Sequence, residues 1–329
     1  MKFNSRHLID LNKGKSNKVR KRTAPSIKKS RFTLDFSRNK TLYLMALPVV
    51  GYYLVFFYWP MYGAVIAFQN YSPMKGIWGS DWVGLDHFVH FMNGHYFWRL
   101  IRNTLMLSLY SLLFGFTAPI ILALLLNEVR NRFLKNFLQT VSYLPYFISL
   151  IVVCELIRVF TESGSPINLL YSYLSGSSGQ DMLQQPNLFR SIYVSSEIWQ
   201  QSGWESIIYL AALTGIDPKQ YEAARIDGAG RLRQIVSITL PGLAPTIIIM
   251  LILRLGHLLE VSYEKIILLY NPVNYETADV ISTYVYRKGL IDNDWSFSSA
   301  VGLFNSLINL TVLVLANAIS RKFSGKSLW

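Results

Sequence analysis

Glu197, Gln200, Gln201 and Trp204 stand at spacings of three, four and seven, so a helix would carry a carboxylate, amides and an indole on one stripe. That set suits a sugar. Carboxylates and amides bond hydroxyl groups, while an aromatic ring stacks on the apolar face of a pyranose. Hydrogen bonding between packed membrane helices uses the same residue types, and the spacing leaves both roles open. Arg254, His257 and Glu260 recur every three residues and form a second candidate stripe. Arg254 and His257 could meet an acidic sugar, or they could pair internally with Glu197 or Glu260. Glu155 and Arg158 are expected to pair with each other, and Asn305 and Asn309, at i and i+4, read equally as packing contacts or as pathway.

Other constellations carry less. His87, His90 and His95, with Asp81 and Asp86 nearby, invite a metal reading, but nothing at a suitable spacing would orient the imidazoles, and no metal site is expected. Gly14-Lys15-Ser16 and Gly325-Lys326-Ser327 resemble the end of a phosphate loop. The glycine required five residues earlier is Ile9 in one case and Ser320 in the other, so this chain is expected to bind no nucleotide or other cofactor. Cys154 is the single cysteine, which excludes an internal disulfide and a four-cysteine zinc site. No Ser-His-Asp, Cys-His or paired-carboxylate set falls on one aqueous face, and an enzyme is not expected.

These stripes need helices in lipid to position them. The 329 residues are 51% hydrophobic and only 16% charged, well under the share in soluble domains. The net charge of +13 is concentrated: of 32 Lys and Arg, thirteen lie in residues 1–40, opposed by Asp10 and Asp35 alone. From Arg6 to Arg31 the basic run carries no Phe, Tyr or Trp, so it reads as a solvated cytoplasmic tail beside anionic headgroups, with no nucleic acid as partner. The remaining 41–329 reads as one transmembrane domain. A span needs about 20 apolar residues, and six candidates satisfy this, at 42–68, 104–126, 137–160, 192–213, 243–262 and 300–319. The first is too long for a signal-peptide core. With the N-terminus inside, alternate segments hold 23 basic residues inside and seven outside. That bias predicts both termini cytoplasmic.

The fold class is therefore all-α and polytopic. Its loop 214–241 falls on the cytoplasmic side. Asp217 is a helix N-cap with Pro218 at the first helical position, and Gly228 and Gly230 end or bend that helix before Pro241 at the entrance of the fifth span. This stretch resembles the EAA loop of ATP-binding-cassette importer permeases. Glu222, Ala223, Ala224, Asp227, Gly228, Ala229, Ile238, Leu240 and Pro241 fit the pattern, and Ile235 replaces the usual phenylalanine. The stretches Gly84 to Phe88 and Phe97 to Leu105 look like the approach to the second span in maltose-type sugar permeases. Tyr263 to Ile266, Tyr270 to Pro272 and Asp279 to Gly289 are similar to the branch importing polysaccharide-derived oligosaccharides.

The resemblance implies a type I importer permease with a cytoplasmic coupling helix, in a bacterial inner membrane. It further implies a second homologous permease subunit, two ATPase subunits that hold ATP and Mg, and an extracytoplasmic solute-binding protein. Coupling would fall to Glu222, Ala223, Ala224, Asp227, Gly228, Ala229 and Pro241. The outer segment 263–299 is expected to dock the binding protein, although Tyr284, Tyr286 and Trp295 also suit a headgroup belt. A permease for a non-sugar solute, or an unrelated membrane enzyme or channel, are the competing readings.

Overall fold

Proline and glycine divide the apolar runs more finely than their hydrophobicity does. The computed structural model describes residues 39–176 and 179–324. The basic tail as far as residue 38, Ser177-Ser178 of the Ser-Gly connector, and Gly325-Lys326-Ser327 lie outside them. Two units divide the chain, Met1–Met61 and Tyr62–Trp329.

In the first unit, α1 (Lys40–Tyr53) contains Pro48 and continues through a π-helical turn, Leu54–Tyr58. It buries no side chain. Tyr52 and Phe56, and Tyr53 and Phe57, form aromatic pairs 5.0 Å apart along its length. A helix apolar all round is suited to lipid or to helices of another subunit.

The second unit opens with a two-residue hairpin, β1 (Gln69–Asn70) antiparallel to β2 (Asp81–Trp82), with Gln69 opposite Trp82. After α2 (Asp86–Met92), α3 (Phe97–Tyr110) passes through a π turn at Ser111–Gly115 into α4 (Thr117–Glu128). Next come α5 (Arg132–Tyr143), α6 (Leu150–Thr161), α7 (Pro166–Ser175), and α8 (Pro186–Thr214), 29 residues long. Then α9 (Pro218–Ile226) leads through a π turn at Ile235–Thr239 into α10 (Leu240–Gly256). The segment 263–299 carries α11 (Tyr263–Leu269) and α12 (Ile281–Tyr286), and α13 (Trp295–Ser324) follows it.

Among the described residues, four helical runs are long and apolar enough to cross a membrane: Lys40–Phe68, Phe97–Glu128, Arg231–Gly256 and Trp295–Lys322. The expected third span, 137–160, is two helices meeting at 101°. Pro145 tightens the chain into a short 3₁₀ turn, and extended backbone at Ile148 and Ser149 lets the Ser149 hydroxyl cap α6. The expected fourth, 192–213, is helical throughout but too polar to join that set. The expected fifth, 243–262, stops early. Its helix ends at Gly256, and the Leu259 N–H bonds Asn309 Oδ1 at 3.0 Å in place of a helical carbonyl.

Helices in lipid gain little from leaving water, so close backbone approach holds them. A Cβ on Gly203 of α8 would overlap the Ser142 carbonyl at the end of α5, and one on Gly242 would sit 2.7 Å from Ile216 Cδ1. Three apolar clusters complete the packing. One joins Leu107, Val153, Phe189 and Ile266, another Phe91, Leu100, Ile281 and Phe297, and the third Ile120, Ala123 and Tyr209.

Candidate functional site

The Asp217 carboxylate accepts the Lys219 N–H at 3.0 Å, which fixes the start of α9. Its end is a Schellman motif: Ala229 N–H bonds the Ala224 carbonyl at 2.8 Å and Gly228 N–H bonds Arg225 at 3.1 Å. Gly228 takes φ +76°, the left-handed conformation that this motif requires. Glu222, Ala223 and Asp227 stay exposed on the resulting short helix, and Ala224 is half-buried. Three contacts tie the elbow to the helices beside it. Tyr221 Oη lies 3.0 Å from Thr239 Oγ1, Gln234 Nε2 donates to the Ala229 carbonyl at 2.7 Å, and Arg231 pairs with Glu128 at 3.6 Å. Pro241 cannot donate to the carbonyl four residues back, and the π turn at Ile235–Thr239 widens the helix there. Side chains from both ends of the elbow line a roughly 360 Å³ cleft that includes Tyr221, Glu222, Arg225 and Arg231.

The polar stripes meet within the helical body. Arg254 Nη2 donates to Glu197 Oε1 at 2.6 Å and to Ser111 Oγ at 2.9 Å, and Ser111 Oγ donates to Glu197 Oε2 at 2.7 Å. Glu205, two turns further along α8, lies 3.6 Å from Arg254 Nη1. Two carboxylates thus share one guanidinium. Ser111 opens the π turn of its helix, and Gly115 closes that turn beneath the guanidinium, where a Cβ would stand 3.7 Å from Nη2. Of the two alternatives for Arg254, the internal pair with Glu197 is the one formed here. His257 Nδ1 lies 2.8 Å from Glu260 Oε2, but both residues follow the end of α10, so they do not continue the Arg254 stripe along a helix.

Trp204 stacks on Tyr146 with ring centroids 4.7 Å apart and planes 5° from parallel, and Phe147 meets it edge-on. Gln200 is buried and its Nε2 reaches the Ile148 carbonyl at 3.5 Å, so it packs against the α5–α6 break, while Gln201 remains half-buried. Asn309 is a packing contact through Leu259. Asn305 lies apart from the Arg254 cluster, in a cavity beside Tyr263, Tyr286 and Trp295, with its Oδ1 buried and unpartnered among the described residues. Glu155 and Arg158 pair at 3.1 Å. The histidines do not converge. His87 Nε2 lies 3.0 Å from the Gln69 carbonyl, His90 packs on Phe297 and His95 on Tyr96.

A buried ionic hub around Asp279 went unread in the sequence. Asp279, with 0% exposure, pairs with Arg99 at 3.1 Å and Arg287 at 2.9 Å, and accepts from Thr283 Oγ1 at 2.9 Å. Burial works against the Arg287 charge, but hydrogen bonding and attraction from Asp279 outweigh it and raise its pKa above the ordinary arginine value. Asn103 Nδ2 bonds the carbonyls of Glu276 and Asp279, and its Oδ1 accepts from Arg190 at 2.8 Å. Lys265 was missed too. It is 4% exposed, donates to the Tyr193 carbonyl at 3.3 Å, and burial pushes its amine down to about 8 against the attraction of Glu197. One signal pointed to the hub: Asp279 stands eight residues, about two helical turns, before Arg287 across an otherwise uncharged run.

A helical membrane body with a capped elbow between two of its helices defines a transport permease subunit. The chain belongs to the family of binding-protein-dependent transport system inner membrane components, whose model matches residues 115–325. It is 44% identical over 303 residues to the polygalacturonan/rhamnogalacturonan transport system permease protein YteP of Bacillus subtilis (strain 168), covering 92% of this chain and 94% of that one. Protein LplB of the same organism is 45% identical over 293 residues, covering 89% of this chain and 92% of its own. The crystal structure of a bacterial transporter importing the acidic polysaccharide alginate has a chain 44% identical, with a TM-score of 0.81 over 90% of this chain and all of that one. A second structure, of the alginate transporter with its periplasmic protein bound to an alginate pentasaccharide, matches with a TM-score of 0.83 over 91% of this chain.

Proposed function

We propose that this chain forms part of the pathway by which an ATP-driven importer brings an acidic oligosaccharide across the bacterial inner membrane. The observation that carries this is Arg254, held between Glu197 and Glu205 in the same helical body that presents the stacked Trp204 and Tyr146 rings. The two carboxylates outnumber this one guanidinium, so Arg254 orients Glu197 and Glu205 as acceptors for ring hydroxyls, and an aromatic platform takes the sugar's apolar face. Relatives named for polygalacturonan and structures named for alginate support the acidic class. In this reading Glu197, Gln201, Trp204 and Arg254 face the substrate, and Gln200 and Asn309 hold the helices. His257, Glu260 and Asn305 lie at the outer approach.

The partners follow from the same reading. A second permease completes the pathway, two ATPase subunits bind ATP and Mg, and a solute-binding protein delivers the sugar; the similar alginate transporter is in complex with a periplasmic protein bound to an alginate pentasaccharide. Both termini are cytoplasmic, and loop 214–241 receives the ATPases' closure as a rigid-body push. The test is uptake by the assembled transporter of labelled pentagalacturonate and alginate pentasaccharide, with neutral maltopentaose as control. Uptake of maltopentaose with neither uronate would overturn the acidic reading.

Two variants check the parts. Trp204→Ala removes the platform and is expected to raise the half-saturating concentration about tenfold, with Trp204→Phe recovering most of it. An unchanged value in Trp204→Ala counts against the stripe. Gly228→Val has open space around its side chain, so it strains only the left-handed backbone, by about 1–2 kcal/mol. Transport per ATP hydrolysed is expected to fall roughly tenfold while membrane insertion holds and the melting temperature drops by only a few degrees. Unaltered coupling would remove the elbow from the mechanism.

A further inference from the structure

At the outer end of α8, Arg190 forms no ion pair among the described residues, with Glu276 attracting and Arg102 repelling it only at longer range. Its Nη2 donates to Asn103 Oδ1, a neutral acceptor, at 2.8 Å, and its buried Nε–H has no partner among the described residues. Arg190 lines a cavity of roughly 370 Å³ between α3 and α8, together with Asn187, Ser191, Ser195, Tyr110 and Phe114. Asn187, Ser191 and Ser195 recur every four residues, so an amide and two hydroxyls run down one face of α8. Tyr110 and Phe114, also four apart on the opposing helix, supply aromatic surface. Arg190 also stands seven residues before Glu197, two turns outward along the stripe that leads to Arg254.

We infer that this cavity is an outer uronate subsite, in which Arg190 binds the carboxylate of an acidic oligosaccharide before that residue reaches Arg254. The inference rests on the acidic reading of the pathway above. The donors fit the ligand: a guanidinium for the carboxylate, amide and hydroxyl groups for ring hydroxyls, and aromatic rings for the sugar's apolar face. An anionic phospholipid could also present an oxyanion to Arg190. The polar ladder of Asn187, Ser191 and Ser195 favours the sugar, because an acyl chain lying along α8 would leave those groups facing hydrocarbon.

The test uses the assembled transporter in nanodiscs, with pentagalacturonate and alginate pentasaccharide as probes beside their carboxyl-methylated forms. Arg190→Gln is expected to raise the half-saturating concentration for an acidic probe about tenfold, the loss of one charge-assisted hydrogen bond. The methylated probe should respond equally to wild type and variant, and Arg190→Lys should recover part of the loss. Ser195→Phe fills the cavity without removing the charge and is expected to weaken the acidic probe comparably; its melting temperature shows that the fold persists. Equal affinities in wild type and both variants overturn the subsite. So does a defect in Arg190→Gln that is present in phosphatidylglycerol discs and absent in phosphatidylcholine discs, which would assign the cavity to lipid. A wild-type transporter that moves neither acidic probe instead overturns the acidic reading itself.

Discussion

Alanine at position 203 will separate α8 from the end of α5 and abolish uptake. A Cβ built on Gly203 overlaps both the carbonyl oxygen and carbon of Ser142 and lies 3.1 Å from Tyr143 N. All three are backbone atoms, so no side-chain rotation relieves the clash. The α5–α8 contact must open instead. It lies within one residue of Trp204 and three residues before Tyr146, so the aromatic stack opens with it. The cost falls at the upper end of overpacking penalties, about 3 kcal/mol, a large share of a typical stability margin. A melting scan of the purified transporter should show a marked drop, and labelled uptake should vanish. Gly302→Ala is the control, since a Cβ there meets nothing within 4 Å; its melting temperature should hold or rise. A wild-type profile for Gly203→Ala would show that the helices do not meet at this glycine.

That contact explains which parts of the molecule were legible in sequence. Local signals were read well. Asp217-Pro218 starts α9 and Gly228 ends it, because capping and left-handed geometry depend on a few adjacent residues. Charge pairing across helices was legible only as alternatives. Arg254 had Glu197 and Glu260 as possible partners, and three-dimensional proximity selects Glu197, with Glu205 as an additional neighbour. Hydropathy read the third segment as one continuous run because a window average ignores that Pro145 and the extended Ile148-Ser149 turn the chain by 101°. It also ran the fifth helix past Gly256, where Asn309, 50 residues away, captures the Leu259 N–H. Gly203 carried no sequence signal, since its meaning lies in a carbonyl 61 residues earlier.

The second large effect is expected at Asp279. Its carboxylate is fully buried between Arg99 of α3 and Arg287 after α12, and it also holds the Thr283 hydroxyl. This acid supplies the ionic tie between the segment 263–299 and α3, beside the Asn103 hydrogen bonds and the apolar contacts of Ile281 with Leu100. Asp279→Ala leaves two guanidinium groups facing each other without a counter-charge, and Arg99 Nε and Arg287 Nη1 already lack acceptors among the described residues. Removing one member of such a buried set costs about 3–5 kcal/mol, well above the value of an exposed pair. Both arginines keep some solvent contact, which places the expectation near 3 kcal/mol. The sign is checked by compensation. In Asp279→Ala combined with Arg99→Met and Arg287→Met, no charge remains stranded, and the melting temperature should recover much of the single variant's loss. If Asp279→Ala melts like wild type, the segment is held by its apolar contacts alone. If the triple variant melts lower than the single one, the arginines stabilise the segment through their stems and rings, such as the Tyr275 and Tyr284 faces beside Arg287, more than through Asp279.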